Sequence, residues 1–207
     1  MTATVRFPAL TLSTLCGIVD ALASTTDPDD PLLSLVRLTV TDGRLTLTGA
    51  TRHCVTSVTI DQVETSGQAR ALVDAVGLSG GLAYKLTPGI GHPHMVVTDD
   101  AVVLHVERAR AEVGVARPGS PYPSIETFVR QGDERRPRPI DAGIAVDPRY
   151  LVRAASTALR VCGEEPITMW QVERSAAIHM QASSSDGVTW RHVLMPTRMH
   201  LAGGETS

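Results

Sequence analysis

Lysine is nearly missing from this chain of 207 residues: of 19 basic side chains, only Lys85 is a lysine and the rest are arginines. Aromatic residues are also scarce, at 3%, so any core must be built from Leu, Val, Ile and Ala. Charge of one sign is not in excess. The net charge of −3 excludes a strongly basic nucleic-acid binder but leaves room for a locally basic face. Cys16, Cys54 and Cys162 are odd in number and form no CxxC pair. That excludes a disulfide framework or a cysteine zinc site and fits reduced thiols in a cytoplasmic protein. No apolar run reaches the ~18 residues of a membrane span. The opening, Met1 to Phe7, is polar and followed by Pro8, which is not the pattern of a signal peptide.

Sequence signals of catalysis are missing too. There is no GxSxG, HExxH or phosphate loop, and the glycines of 77–81 lack a P-loop lysine. His92-Pro93-His94 has metal-like spacing, but no carboxylate or cysteine motif accompanies it, so it reads as a loop without metal. The expectation is a non-enzyme with no cofactor.

What is present is a hydrophobic share of 43%, enough for one or two globular domains, and an internal repeat. The first unit predicts a strand at residues 4–7, then a helix at 11–24 with Leu12, Leu15, Val19 and Leu22 at helical spacing. Strands follow at 35–40, 44–49 and 54–60, with Asp42-Gly43 as a hairpin turn. The second unit predicts a strand at 70–73, a glycine-weakened helix at 74–86, and strands at 95–98, 102–107 and 112–116. After a polar Arg/Pro linker, residues 130–140, the third predicts a strand at 143–146 and a helix from Asp147-Pro148 to Leu159. Its core face is expected at Leu151, Ala155, Ala158 and Leu159, and its strands at 167–172, 176–181 and 188–195. The order is β-α-β-β-β three times. The predicted domains are residues 1–129 with two units and 141–201 with one, followed by a tail at 202–207.

Three segments share a resemblance. Met195-Pro196-Thr197-Arg198 resembles the Met-Pro-x-Arg end of the bacterial DNA polymerase III beta sliding clamp family. The run 50–55 is similar to that family's Thr-Asp-Gly-His-Arg-Leu, keeping His53 and a branched Val55 but placing Arg52 and Cys54 where the family has Gly and Arg. Tyr122-Pro123-Ser124-Ile125 is similar to its Phe-Pro-Asp-Tyr segment. The resemblance implies an α+β DNA-clamp fold, with helices on one side of antiparallel sheets. It also implies a processivity factor that encircles duplex DNA as a homo-oligomer and holds polymerase and clamp-loader peptides in a pocket.

By that resemblance the pocket residues are Arg52, His53, Cys54, Val55, Pro123, Phe128, Val193, Met195, Pro196, Thr197 and Arg198. Lys85, Arg149, Arg153 and Arg160 are the candidates for non-specific contact with the DNA backbone. Arg149 and Arg153, four apart, share a helix face. The single third unit is expected to leave a sheet edge and a helix face for another chain to cover. The alternative is a protein-binding module that keeps the pocket and regulates replication proteins without encircling DNA. The acidic balance and a first helix without cations favour that alternative.

Overall fold

The structure, a computed structural model, describes residues 2–85 (side chains through residue 80), 92–119, 122, 146–171 and 177–195. Strand β1 (Ala3–Arg6) leads to helix α1 (Leu12–Ala23). The Thr11 hydroxyl accepts the Thr14 N–H at 3.2 Å and so caps the free amides of the first turn. Leu12, Leu15, Ile18, Val19 and Leu22 form its buried stripe. Strands β2 (Leu35–Thr41), β3 (Arg44–Ala50) and β4 (Cys54–Ile60) follow as an antiparallel meander. Gly43, at φ 68°, supplies the left-handed turn residue between β2 and β3.

The second unit contains β6 (Ala69–Asp74), α2 (Ala75–Lys85), β7 (His94–Val97), β8 (Ala101–Val106) and β9 (Ala109–Gly114). A short β5 (Glu64–Ser66) precedes it. The sequence pattern predicts the last strand three residues later than β9. Glu107, at φ 51°, makes the turn after β8 tight enough for pairing to resume at Ala109. The third unit has α3 (Pro148–Cys162), β10 (Thr168–Gln171), β11 (Ile178–Ser183) and β12 (Val188–Leu194). β11 begins two residues later than predicted, and the expected strand at 143–146 falls almost wholly outside the described residues.

The strands form two antiparallel sheets. One runs β5-β1-β7-β8-β9 and the other β10-β11-β12-β4-β3-β2-β6. Units one and two exchange first strands: β1 pairs with β7, and β6 pairs with β2. Unit three joins differently. Its last strand, β12, pairs with β4, the last strand of unit one, in full register from Val188↔Ile60 to Leu194↔Cys54. Helix α1 packs against both α2 and α3, and the main core lies between these helices and the sheets. Phe7, Leu15, Ile18, Leu38, Leu45, Leu47 and Trp190 are fully buried there.

The expected core face of α3 needs correction. The buried residues are Ala154, Thr157, Ala158, Val161 and Cys162, while Leu151, Ala155 and Leu159 are exposed. The helix also continues to Cys162 before Gly163, at φ 70°, ends it. It carries two apolar arcs, and α1 with β12 holds the one that begins at Ala154.

Candidate functional site

At the seam between units one and three, side chains alternate across the paired strands. On one face, Cys54, Val58, Trp190 and Leu194 enter the main core. On the other, Val55 sits directly opposite Val193, and together with Ala50 they form a separate small apolar cluster. Half-buried Leu33, Tyr122 and Ala177 pack against it. The Tyr122 hydroxyl donates to the Leu35 carbonyl at 3.1 Å, and the Arg37 guanidinium lies 4.9 Å from its ring centroid. The Met195 N–H donates to the His53 carbonyl at 2.9 Å, so pairing across the seam continues past β12.

The structure therefore brings His53, Val55, Val193 and Met195 to one seam. It does not place Cys54 with them. Strand alternation turns that side chain into the main core, where its thiol lies 3.2 Å from the Thr51 hydroxyl and burial pushes its pKa up. Arg52 is largely exposed, 3.9 Å from Asp30. Pro123, Phe128, Pro196, Thr197 and Arg198 lie outside the described residues. Leu33, Ala50, Tyr122 and Ala177 are cluster residues that the motif comparison does not select. Their signal is tertiary, apart from Tyr122, which heads the Tyr-Pro-Ser-Ile segment, and Ala50, which heads the 50–55 run.

The His53 ring turns toward α3 and tilts against Tyr150, with centroids 5.4 Å apart. There Arg52, His53, Arg149 and Arg153 line a cleft of about 560 Å³ that also touches the end of α1 at Ala23 and Ser24. A second groove, about 310 Å³, continues along α3 past Arg149, Arg153 and Arg160. The three arginines thus share one flank of the helix, the flank beside α1. Asp147 caps α3 by accepting the Arg149 N–H at 2.9 Å, and it also takes the Arg149 guanidinium at 2.6 Å. Those hydrogen bonds hold the Asp147 carboxyl down to about 2. Among the described residues, no ion pair engages Arg153 or Arg160. Lys85 is the last residue of α2, and its side chain is outside the described set.

His192 is buried on β12. Its Nδ1 is 2.8 Å from the Thr56 hydroxyl across the seam, and its ring stacks on Trp190 at 5.6 Å. Burial first, and the nearby Arg153 charge second, lower its pKa to about 4, so it is neutral near pH 7. His94 stacks on His105 at 4.6 Å across β7 and β8. Among the described residues no three metal-ligating side chains converge. No helix there is long and apolar enough to cross a membrane.

No protein-family model matches this sequence, and no curated protein matches it either. Solved structures do. A DNA polymerase sliding clamp from Pseudomonas aeruginosa, solved with a ligand, is 12% identical with a TM-score of 0.63, over 96% of this chain and 67% of that one. The DNA polymerase III beta chain of Streptococcus pneumoniae is 13% identical with a TM-score of 0.67, over 92% and 64%. The Helicobacter pylori beta clamp, in complex with 3,4-difluorobenzamide, is 9% identical with a TM-score of 0.69, over 95% and 66%. At such identities the likeness is one of fold. The chain has the fold of the bacterial DNA polymerase III beta sliding clamps and spans about two thirds of their length.

Proposed function

We propose that this chain is a sliding-clamp-like processivity factor. As a homo-oligomer in the cytoplasm it surrounds duplex DNA, touches the phosphates through Arg153, Arg160 and Lys85, and tethers a polymerase. Clamp-loader peptides use the same pocket. The tether makes and breaks no bond; it acts by topology. The domain plan that goes with this reading is a two-unit body at 1–129, a linker, and a single unit at 141–201. The observation that carries the reading is the apolar cluster of Ala50, Val55 and Val193 at the seam, apart from the main core and packed by Leu33, Tyr122 and Ala177, with the Met195 N–H paired to the His53 carbonyl at the end of the same seam. A peptide with a glutamine and two or three downstream apolar side chains suits such a site: apolar floor, polar rim.

Titrating a labelled peptide of that kind tests the pocket. Met195→Ala removes apolar contact at a half-buried position and should cost about 1–3 kcal/mol, or about tenfold or more in Kd. The fold should survive, because Met195 follows β12 and is not among the buried core residues. Equal binding by wild type and a folded Met195→Ala protein would sink the pocket.

One observation favours the non-encircling alternative. Arg149 is already held by Asp147, so the helix layer presents one free cation fewer than the sequence suggests. The two readings separate on whether retention on DNA depends on the DNA being a closed circle.

A further inference from the structure

The face of the five-stranded sheet that points away from the main core carries a line of cations that polymerase tethering leaves unused. Strand register sets Arg6 of β1 opposite His94 of β7, His94 opposite His105 of β8, and His105 opposite Arg110 of β9. Alternation gives these four side chains one face. Their chain neighbours Val5, Met95, Leu104 and Ala111 are buried in the main core on the other. Like charges directly opposite each other in a sheet are destabilising. Here they follow one another across four strands, in a chain whose net charge is −3.

One end of the line is compensated: Glu112 holds Arg110 at 2.5 Å. The rest is not. Glu64 of β5 lies opposite Arg6 in register, yet among the described residues no ion pair engages Arg6, His94 or His105. The rings of His94 and His105 stack 6° from parallel. Burial first, then His105 and Arg6, lower the pKa of His94. An anion placed beside it would reverse that repulsion.

Over the β1–β7 end of the line lies a hollow of about 460 Å³. Its lining combines Arg6, His92 and His94 with apolar Pro8, Pro93 and Val96. The Phe7 N–H donates to the Pro93 carbonyl at 3.3 Å and ties the two proline-bearing segments together. Small-molecule sites have this size and this mixture of apolar wall and few polar groups. A metal ion is the wrong occupant: Arg6 repels a cation, and no three ligating side chains converge among the described residues. A bare anion would leave the prolines and Val96 without a contact.

We infer that this hollow binds a small organic phosphate, its monoester head on Arg6, His92 and His94 and a compact apolar body against Pro8, Pro93 and Val96. Three terminal oxygens give each of the three cationic side chains a charge-assisted partner; a carboxylate has two. The site is on the other sheet from the seam between units one and three, so it stands whether or not the chain encircles DNA.

Calorimetric titration of the full chain with phenyl phosphate at neutral pH tests this. Phenyl phosphate should bind saturably and about tenfold or more tighter than inorganic phosphate, since only the ester reaches the apolar wall. Arg6→Gln and His94→Gln should each weaken it about tenfold. Arg110→Gln, at the compensated end, should leave it unchanged. Arg6 is exposed and His94 half-buried, so all three variants should keep the wild-type circular dichroism. Phenyl sulfate, whose own charge is constant, serves for the pH series. Its affinity should rise between about pH 8 and about pH 5.5 as His92, His94 and His105 take up protons, and the rise should shrink in His94→Gln. The other charged groups on this face, Arg6, Arg110, Glu64 and Glu112, are of types that do not ordinarily titrate in that range. Equal affinity for phenyl phosphate and inorganic phosphate would mean an adventitious ion only and overturns the inference. So does a failure to saturate by about 10 mM, folded Arg6 and His94 variants that bind like wild type, an equal loss in Arg110→Gln, or a phenyl sulfate affinity that does not change with pH.

Discussion

Helices α1 and α3 hold the same place in the same unit, yet their surroundings differ on both flanks. α1 is flanked by α2 and α3 and turns a broad apolar face into the core. α3 meets α1 on one side with three arginines beside the contact, and on the other shows solvent an uncharged apolar stripe. The repeat thus fixes the backbone plan, and side-chain choice gives each copy its task. In unit one the helix is a structural centre. In unit three it carries the cations and an open apolar flank.

The difference predicts unequal costs for similar truncations. Leu15→Ala in α1, at a fully buried position, should cost about 2–5 kcal/mol of unfolding free energy. Leu159→Ala in α3, which is 59% exposed, should change the stability of the single chain by no more than about 0.5 kcal/mol. Urea titration of both variants at a concentration below self-association checks this. Comparable losses would mean that α3 is packed on both flanks.

The seam that joins the two units should weaken in acid. His192 is neutral in the folded chain down to about pH 4, against an ordinary value of 6.5. Its folded pKa is depressed, so protonation favours unfolding. The neutral ring costs nothing above pH 6.5; stability declines as pH falls from 6.5 to 4 and levels off below that, by on the order of 3 kcal/mol in total. His192→Gln should flatten the unfolding midpoint across that window. An equally steep profile in the variant would assign the acid sensitivity to other groups.

A smaller effect is expected from the basic flank. Arg153→Glu with Arg160→Glu should weaken DNA binding irrespective of sequence and reduce the slope of log affinity against log salt by about 2 if each guanidinium neutralises one phosphate. An unchanged slope would place the DNA on another face. The smallest effect concerns the cap. Asp147→Ala removes the acceptor for the first amides of α3 and frees the Arg149 guanidinium. The melting temperature should drop slightly while DNA affinity rises slightly. A fall in affinity would show that Arg149 needs Asp147 to hold it in place.

Much of this arrangement is legible in the sequence, and the gaps have physical reasons. Thr11, Asp42-Gly43, and Asp147 with Pro148 mark their helix and hairpin boundaries, because caps and turns are local chemistry. β5 has three polar residues and no pattern to find. β9 starts early because Glu107 takes a left-handed conformation that nothing in its neighbours announces. The core face of α3 is ambiguous because Leu151-Ala155-Leu159 and Ala154-Ala158-Val161 are both apolar stripes. Only the positions of α1 and β12 decide between them. Cys54 is an instance in which a legible signal exists: adjacent residues of a strand face opposite sides, so Cys54 and Val55 cannot both line one pocket. The cluster partners Leu33 and Ala177 come from distant parts of the chain and carry no motif.

The clamp reading stands or falls on topology. The protein, loaded onto a nicked circular plasmid in the presence of a bacterial clamp loader, is passed through a sizing column at a salt concentration that removes non-specific binders; the plasmid is then cut once and the separation repeated. The account predicts co-elution with the circle and release from the linear form, because a closed assembly slides off a free end. Equal retention on circular and linear DNA, or retention on neither, would contradict it and leave the non-encircling module.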